Sequence, residues 1–202
     1  MSADDAARLE ALWAGEFGAE YTERNRAAGE RRQPFWRDLL AARPCDSVLE
    51  VGCNLGANLG WIASLLPGRL VVGIDVNRRA LGRLRETAPG ARAVAASALH
   101  LPFADESFDM VTTVGVLIHQ APSTVADAMR EIARCARRYV LCAEYYADVL
   151  TEVDYRGQPG SLFKRDFGAL YREVIPGLRL DGSGFLSRAE GWGDVTYWVF
   201  EK

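Results

Sequence analysis

The sequence predicts an α/β domain built on a doubly wound, seven-stranded, mostly parallel sheet. Three observations lead there. Between residues 47 and 143, short apolar runs alternate with amphipathic helical stretches, the pattern of successive βαβ units. The first apolar run ends in a glycine-bearing turn, Val51-Gly52-Cys53-Asn54-Leu55-Gly56. Two further strand-like segments near the C-terminus predict an antiparallel hairpin at one sheet edge.

Residues 1–43 read as a helical N-terminal cap, and residues 44–202 as the core of one domain. Trp13, Phe17 and Tyr21 recur every four residues and so share one helix face; Trp13 and Phe17 are expected in the core. Gly15, Gly18 and Gly29 interrupt any single long helix. Pro34–Ala42 is a second helix with proline in its first turn. Ser47–Val51 is a strand and Ala57–Leu66 a helix, with Leu59, Ile62, Ala63 and Leu66 on one side. Leu70–Asp75 is almost wholly apolar, as in a strand covered by helices on both faces. Arg78–Thr87 is helical, Arg92–Ala96 a weak strand, and Phe108–Thr113 a strand after the turn Ala104–Ser107. Ser123–Arg137 is an amphipathic helix that aligns Val125, Met129, Ile132 and Ala136, and Tyr139–Ala143 is the next strand. The connection near 147–163 lacks periodicity and reads as a lid, because long irregular loops in compact domains are usually functional. Leu178–Ser187 and Val195–Glu201 are the last two strands, joined through Glu190-Gly191-Trp192-Gly193.

Composition narrows the class. A chain of 202 residues with 49% hydrophobic residues builds one ordinary core. A net charge of -3 with 25% charged residues suits neither a disordered chain nor a polyanion-binding surface, so no nucleic-acid partner is expected. No apolar run approaches the roughly 20 residues that span a bilayer, and no membrane partner is expected. The acidic start MSADDAARLEALW lacks the basic and apolar regions of a secretory signal, so a cytoplasmic protein is expected. Cys45, Cys53, Cys135 and Cys142 show no C-x-x-C spacing; free, mostly buried thiols and no metal site follow. The oligomeric state is not specified by the sequence.

The glycine-bearing turn carries the chemistry. Gly52 permits a tight turn and Gly56 a close approach of backbone to ligand. Asn54 stands where a dinucleotide fingerprint has its middle glycine, and asparagine tolerates the left-handed backbone better than most residues. No Gly-Lys-Ser/Thr follows, which excludes a Walker-type phosphate loop. Asp75 ends the second strand 19 residues beyond Gly56. A carboxylate there accepts hydrogen bonds from both ribose hydroxyls of an adenosine ligand; its alternative role is to cap the next helix.

Glu50-Val51-Gly52-x-x-x-Gly56, Gly73-Ile74-Asp75, and Leu101-Pro102-Phe103 leading to Ser107-Phe108-Asp109-Met110-Val111 resemble, in order, the motifs of class I S-adenosylmethionine-dependent methyltransferases, which have a Rossmann-like fold. Further segments resemble a narrower group, the methylases named for their association with pseudaminic acid biosynthesis. These are Glu16-Phe17-Gly18-x-x-Tyr21-x-x-Arg24-Asn25, Gly115–His119, Glu144-Tyr145-Tyr146, Tyr155-Arg156-Gly157 and Leu162–Phe167. The resemblance implies S-adenosyl-L-methionine as cofactor. Gly52, Asn54 and Gly56 would shape the loop under its amino-acid end, with Glu50 in the same set. Asp75 would hold the ribose, with Val76 beside the adenine. Ser97 stands where many members have an aspartate facing the adenine amino group. Ala98, Leu99, Val116 and Leu117 would supply further contact.

Other side chains are candidates for the reacting end. Arg24 is placed to bind the methionyl carboxylate bidentately, and Tyr21 to present a π face to the sulfonium; alternatively both belong to a helix that merely covers the sheet. His119, after the fourth strand, is a candidate proton acceptor or a structural hydrogen-bonder. Glu144, Tyr145 and Tyr146 leave the fifth strand at the edge where open α/β sheets bind ligands. Glu144, His119, Tyr21 and Tyr146 are therefore the catalytic candidates, and Asn25, Tyr145, Tyr155, Arg156 and Lys164 the candidates for holding a small-molecule substrate. Two reactions fit: methyl transfer to a small metabolite, or attack of the cofactor's own α-amino group on its Cγ, which closes azetidine-2-carboxylate and releases methylthioadenosine. Val114-Gly115-Val116-Leu117 stands where nucleic-acid methyltransferases have a D/N-P-P-Y/F type motif, which argues against that substrate class.

Overall fold

The computed structural model describes residues 3–26 and 29–202; residues 1, 2, 27 and 28 of the expected helical cap lie outside the described residues. The cap comprises α1 (Ala3–Ala14), α2 (Glu16–Arg24) and α3 (Gln33–Ala42). The core runs β1 (Ser47–Val51), α4 (Ala57–Leu65), β2 (Leu70–Asp75), α5 (Arg78–Thr87), β3 (Arg92–Ala95), β4 (Phe108–Val114), a 3-10 turn at Leu117–His119, α6 (Val125–Cys135) and β5 (Ala136–Glu144). It continues through a two-rung ladder, β6 (Thr151–Glu152) with β7 (Phe163–Lys164), then α7 (Phe167–Val174), β8 (Arg179–Leu186) and β9 (Val195–Glu201).

The main sheet has seven strands in the order β3-β2-β1-β4-β5-β9-β8. The first five pair in parallel. β9 runs antiparallel to β5, and β8 to β9. This is the α/β, Rossmann-like sheet expected, with its C-terminal antiparallel hairpin and N-terminal helices. β1 is buried throughout because it is central and covered on both faces. Its side chains alternate between two cores. Leu49 and Val51 meet Met129 and Ile132 of α6 and Phe167 and Tyr171 of α7. Val48 faces Trp36 and Leu40 of α3 and Leu59 and Ile62 of α4. All four cysteines are free and buried. Among the described residues, no helix is long and apolar enough to cross a membrane.

Boundaries differ where tertiary pairing overrides local pattern. The helix expected over 123–137 begins at Val125 and ends at Cys135. Ala136 pairs with Phe108, so β5 takes up residues that continue the helical periodicity. The aromatic N-terminal stretch breaks at Gly15 into α1 and α2. Trp13 nevertheless stays edge-on to Phe17 and Tyr21, at 5.3 and 5.4 Å between ring centres. Trp13 and Phe17 are half-buried rather than core, because α1 and α2 border a cavity, whereas α3 packs into the core with Val48.

Candidate active site

The carboxyl ends of parallel strands are where open α/β sheets hold ligands. Here a cavity of about 550 Å³ opens at those ends of β1, β2 and β4. Its floor is the β1–α4 turn. Gly52 sits at φ 72° and Asn54 at φ 51°. The amides of Gly52 and Cys53 donate to the Ile74 carbonyl at 2.8 and 2.9 Å, which folds the turn back against β2. A Cβ on Gly52 would lie 2.4 Å from Val116 Cγ2, so glycine is required by both backbone sign and space.

Asp75 stands beside that turn. One carboxylate oxygen accepts from the Asn54 amide and the other from the Asn77 amide, both at 2.8 Å. Burial nonetheless raises its pKa. The cap of α5 is Asn77, whose Oδ1 accepts from the amides of Arg79 and Ala80. Asp75 is thus spared the capping role, and it lines the cavity. Val76, Ser97, Ala98 and Leu99 line the same end. Ser97 Oγ donates to Glu10 at 2.5 Å and accepts from the Leu99 amide.

Beneath the turn lies a buried polar cluster. Asn58 Nδ2 donates to Glu50 Oε1 at 2.6 Å, and Asn58 Oδ1 accepts from Arg32 Nη1 at 3.0 Å. The Arg32 guanidinium also donates to the Gly191 carbonyl at 2.9 Å and lies 4.4 Å from the Trp192 ring. Burial pushes the Glu50 carboxyl up to about 7. Glu50 Oε2, Asn54 Oδ1 and Trp13 Nε1 are buried and have no hydrogen-bond partner, and all three residues line the cavity. Buried polar atoms are normally satisfied. Three orphans around one cavity fit a polar ligand there, and a carboxylate beside unpaired acceptors suits one bearing hydroxyls and an ammonium, as S-adenosylmethionine does.

The other end of the cavity is aromatic. Tyr21, Asn25, His119, Tyr145, Tyr155 and Arg156 line it. His119 is packed 4.3 Å from Trp13 and 5.4 Å from Tyr155, ring centre to ring centre. Its Nδ1 lies 2.7 Å from the Ser161 carbonyl oxygen. A carbonyl only accepts, so Nδ1 carries the hydrogen and Nε2 of the neutral ring keeps a lone pair. Burial lowers the His119 pKa to about 4. Burial likewise lifts the Tyr21 hydroxyl to about 12, reinforced by Tyr155.

Six candidates from the sequence lie outside the cavity lining. Glu144 is buried, and its carboxylate accepts from the amides of Val116 and Leu117 at 3.0 Å and Ile118 at 3.3 Å. It anchors the turn that carries His119 and is not placed as a base. Tyr146 is 46% exposed and donates to Asp148, because the side chain after Tyr145 points to the opposite face. Arg24 pairs with Glu20 at 3.4 Å on the outer side of α2, so it does not reach a ligand carboxylate. Gly56 faces Leu84 and Ala88 and serves the packing of α4 on α5. Leu117 belongs to the core. Lys164 holds its Nζ 5.4 Å from the Tyr145 ring, behind the cavity wall. The sequence reading missed Arg32, Asn58 and Trp192. Arg32 sits just before α3, and only folding brings it 159 positions along the chain to Gly191. Trp192 was legible only as a Gly-Trp-Gly turn.

Sheet order and the cavity at the carboxyl ends of the parallel strands are those of a Rossmann-like domain. Comparison with known proteins identifies its kind. Residues 48–138 match the family model described as a methyltransferase domain. The chain is 40% identical over 177 residues to a demethylmenaquinone methyltransferase of Roseiflexus sp. (strain RS-1), covering 78% of this chain and 73% of that protein. Among solved structures it resembles the 1,6-didemethyltoxoflavin-N1-methyltransferase of Burkholderia thailandensis with bound 1,6-didemethyltoxoflavin and S-adenosylhomocysteine. The TM-score is 0.75 at 18% identity, over 100% of this chain and 91% of that one. It also resembles the magnesium protoporphyrin IX methyltransferase of Synechocystis PCC 6803 with bound S-adenosylhomocysteine, with a TM-score of 0.73 at 16% identity over 97% and 99% of the two chains. The chain belongs to the class I S-adenosylmethionine-dependent methyltransferases, and S-adenosylmethionine is its cofactor.

Proposed function

We propose that this chain methylates a small-molecule acceptor seated between the cofactor's sulfonium and the aromatic wall of Tyr21, Tyr155 and His119. The observation that carries this is the joining, in one cavity, of the Gly52–Asp75 cradle with a buried neutral histidine whose Nε2 is an unfilled acceptor. The relatives act, by their names, on demethylmenaquinone, 1,6-didemethyltoxoflavin and magnesium protoporphyrin IX, which supports a small molecule. The finer likeness to the pseudaminic acid-associated methylases rests on the segments within 16–25, 115–119, 144–146, 155–157 and 162–167, and on nothing in those names.

S-adenosylmethionine supplies a methyl carbon already activated by its sulfonium. The residues then have to bind, align and exclude water. Asp75 takes the ribose hydroxyls, Val76, Ala98 and Leu99 bracket the adenine, and Ser97 faces its edge. Gly52, Asn54 and Glu50 lie along the methionyl portion. Arg32, preset by Asn58, Gly191 and Trp192, replaces Arg24 as the carboxylate anchor. Val116 packs on Gly52 and closes the floor. Tyr21, Asn25, Tyr145 and Tyr155 shape the acceptor side, and His119 Nε2 receives the acceptor's proton as its nucleophile is used. The 147–163 connection acts as a lid: Gly160 and Ser161 tie it to Arg8 and His119.

Ring closure of the cofactor has no observation in its favour, and the relatives named above are methyltransferases. The test is product identity. Purified protein is incubated with S-adenosylmethionine, first alone and then with a pool of small metabolites, and the adenosine product is identified by mass spectrometry. S-adenosylhomocysteine should form only with the pool, together with an acceptor one methyl heavier. Methylthioadenosine formed without any acceptor would overturn the assignment.

A further inference from the structure

The two ends of the cavity differ in charge. Glu10, Glu50 and Asp75 lie along the cofactor end, each engaged by a neighbour: Ser97, Asn58 and the Asn54 amide respectively. Around His119 the lining is Trp13, Tyr21, Tyr145, Tyr155 and Leu162, and the charged residue among them is Arg156. Arg156 is exposed. Among the described residues no hydrogen bond or ion pair engages its guanidinium, whereas Arg32 is tied to Asn58 and Gly191.

The backbone supplies a second observation. Tyr155 to Gln158 is a two-residue turn in which the Gln158 amide donates to the Tyr155 carbonyl at 3.0 Å. Arg156 and Gly157 occupy it at φ 53° and 71°. Turns with two left-handed central residues are the natural place of Asn-Gly, and an arginine in the first position is sterically disfavoured. Backbone strain of this kind persists where the residue serves a site. The turn also places Arg156 directly after Tyr155, whose ring packs on His119.

We infer that the acceptor bears a carboxylate, held by Arg156 at the cavity mouth, on a flat apolar body set against Trp13, His119 and Tyr155. This acceptor class presupposes the methyl-transfer site described above. A guanidinium offers a planar pair of N–H donors that matches one carboxylate. A phosphate dianion would call for a second cation; Lys164 is turned onto Tyr145 outside the lining, and Arg32 is tied to Asn58 and Gly191.

The experiment is a calorimetric titration of the full chain, first with S-adenosylhomocysteine and then, at saturation, with 2-naphthoate, 2-naphthamide and 2-naphthyl phosphate. Naphthoate should bind at least about tenfold more tightly than the amide, a difference of about 1.4 kcal/mol. Arg156→Asn keeps a residue at home in the left-handed turn and removes the guanidinium with its charge. It should erase that preference, leave the affinity for naphthamide unchanged, and leave the folding midpoint equal or higher. Equal binding of acid and amide, survival of the preference in Arg156→Asn, or tighter binding of the phosphate would each overturn the carboxylate. Absence of S-adenosylhomocysteine binding in the first step would instead sink the methyl-transfer site itself.

Discussion

At the scale of single residues, His119 shows how environment assigns a role. The ring was visible in the sequence as a polar residue after a strand. Its tautomer came only with Ser161, 42 positions away. Because burial holds its pKa near 4, His119 is neutral across the physiological range, and turnover should show no ionisation near 6.5. With an acceptor in hand, His119→Gln should lower kcat at least about tenfold, or about 1.4 kcal/mol in the barrier, while S-adenosylhomocysteine affinity stays within about twofold, since glutamine still has an N–H for the Ser161 carbonyl. Unchanged kcat would reduce His119 to a structural role. Glu144 teaches the converse. Its position at the end of β5 made it a base candidate, but three backbone amides already use its oxygens. Such satisfaction is invisible until the strand and the turn are brought together.

At the scale of elements, two connections shape the site. The β1–α4 turn was legible because glycine spacing reports backbone sign, and Asn54 does adopt the left-handed conformation expected of it. Gly52→Val should abolish S-adenosylhomocysteine binding, since its Cβ would lie 2.4 Å from Val116 Cγ2. Retained binding in a titration would mean that the cofactor lies elsewhere. The turn at 116–118 depends on Glu144. Glu144→Gln presents an N–H₂ group to one of the backbone amides, and should lower stability by about 1–3 kcal/mol, read as an earlier denaturant midpoint. A Glu144 acting only as a base would lose turnover and keep its midpoint. The N-terminal helices were legible as helices, but not their rotation, because an aromatic stripe looks the same over a core and over a cavity. That ambiguity put Arg24 in the site and left out Arg32.

At the scale of the whole molecule, the mostly parallel sheet and its C-terminal hairpin were legible, because burial on both sheet faces writes itself into apolar runs, whereas the strand order β3-β2-β1-β4-β5-β9-β8 came only with the fold. The Arg32–Trp192 contact joins the cap to the β8–β9 hairpin and left no local trace. The same burial shapes the response to pH. Glu50 has a folded pKa raised to about 7 against an ordinary 4.5, so the native state holds its proton more tightly than the unfolded chain. Its stabilising share is complete below about 4.5 and is lost as pH rises to about 7. Glu50→Gln keeps the acceptor for Asn58 and removes this titration. The stability of the wild type relative to that variant should therefore fall between pH 4.5 and 7, by at most about 1.4 kcal/mol per unit, measured by urea unfolding. A difference independent of pH would contradict the buried carboxyl. Glu50 and Asp75 stand at the same cradle, and the cradle is the centre of the account. Its most direct test is calorimetric titration of S-adenosylmethionine into the wild type and Asp75→Ala. One site per chain should be seen, weakened by about 1–3 kcal/mol in the variant; equal affinity in both proteins would contradict the assignment of the cavity.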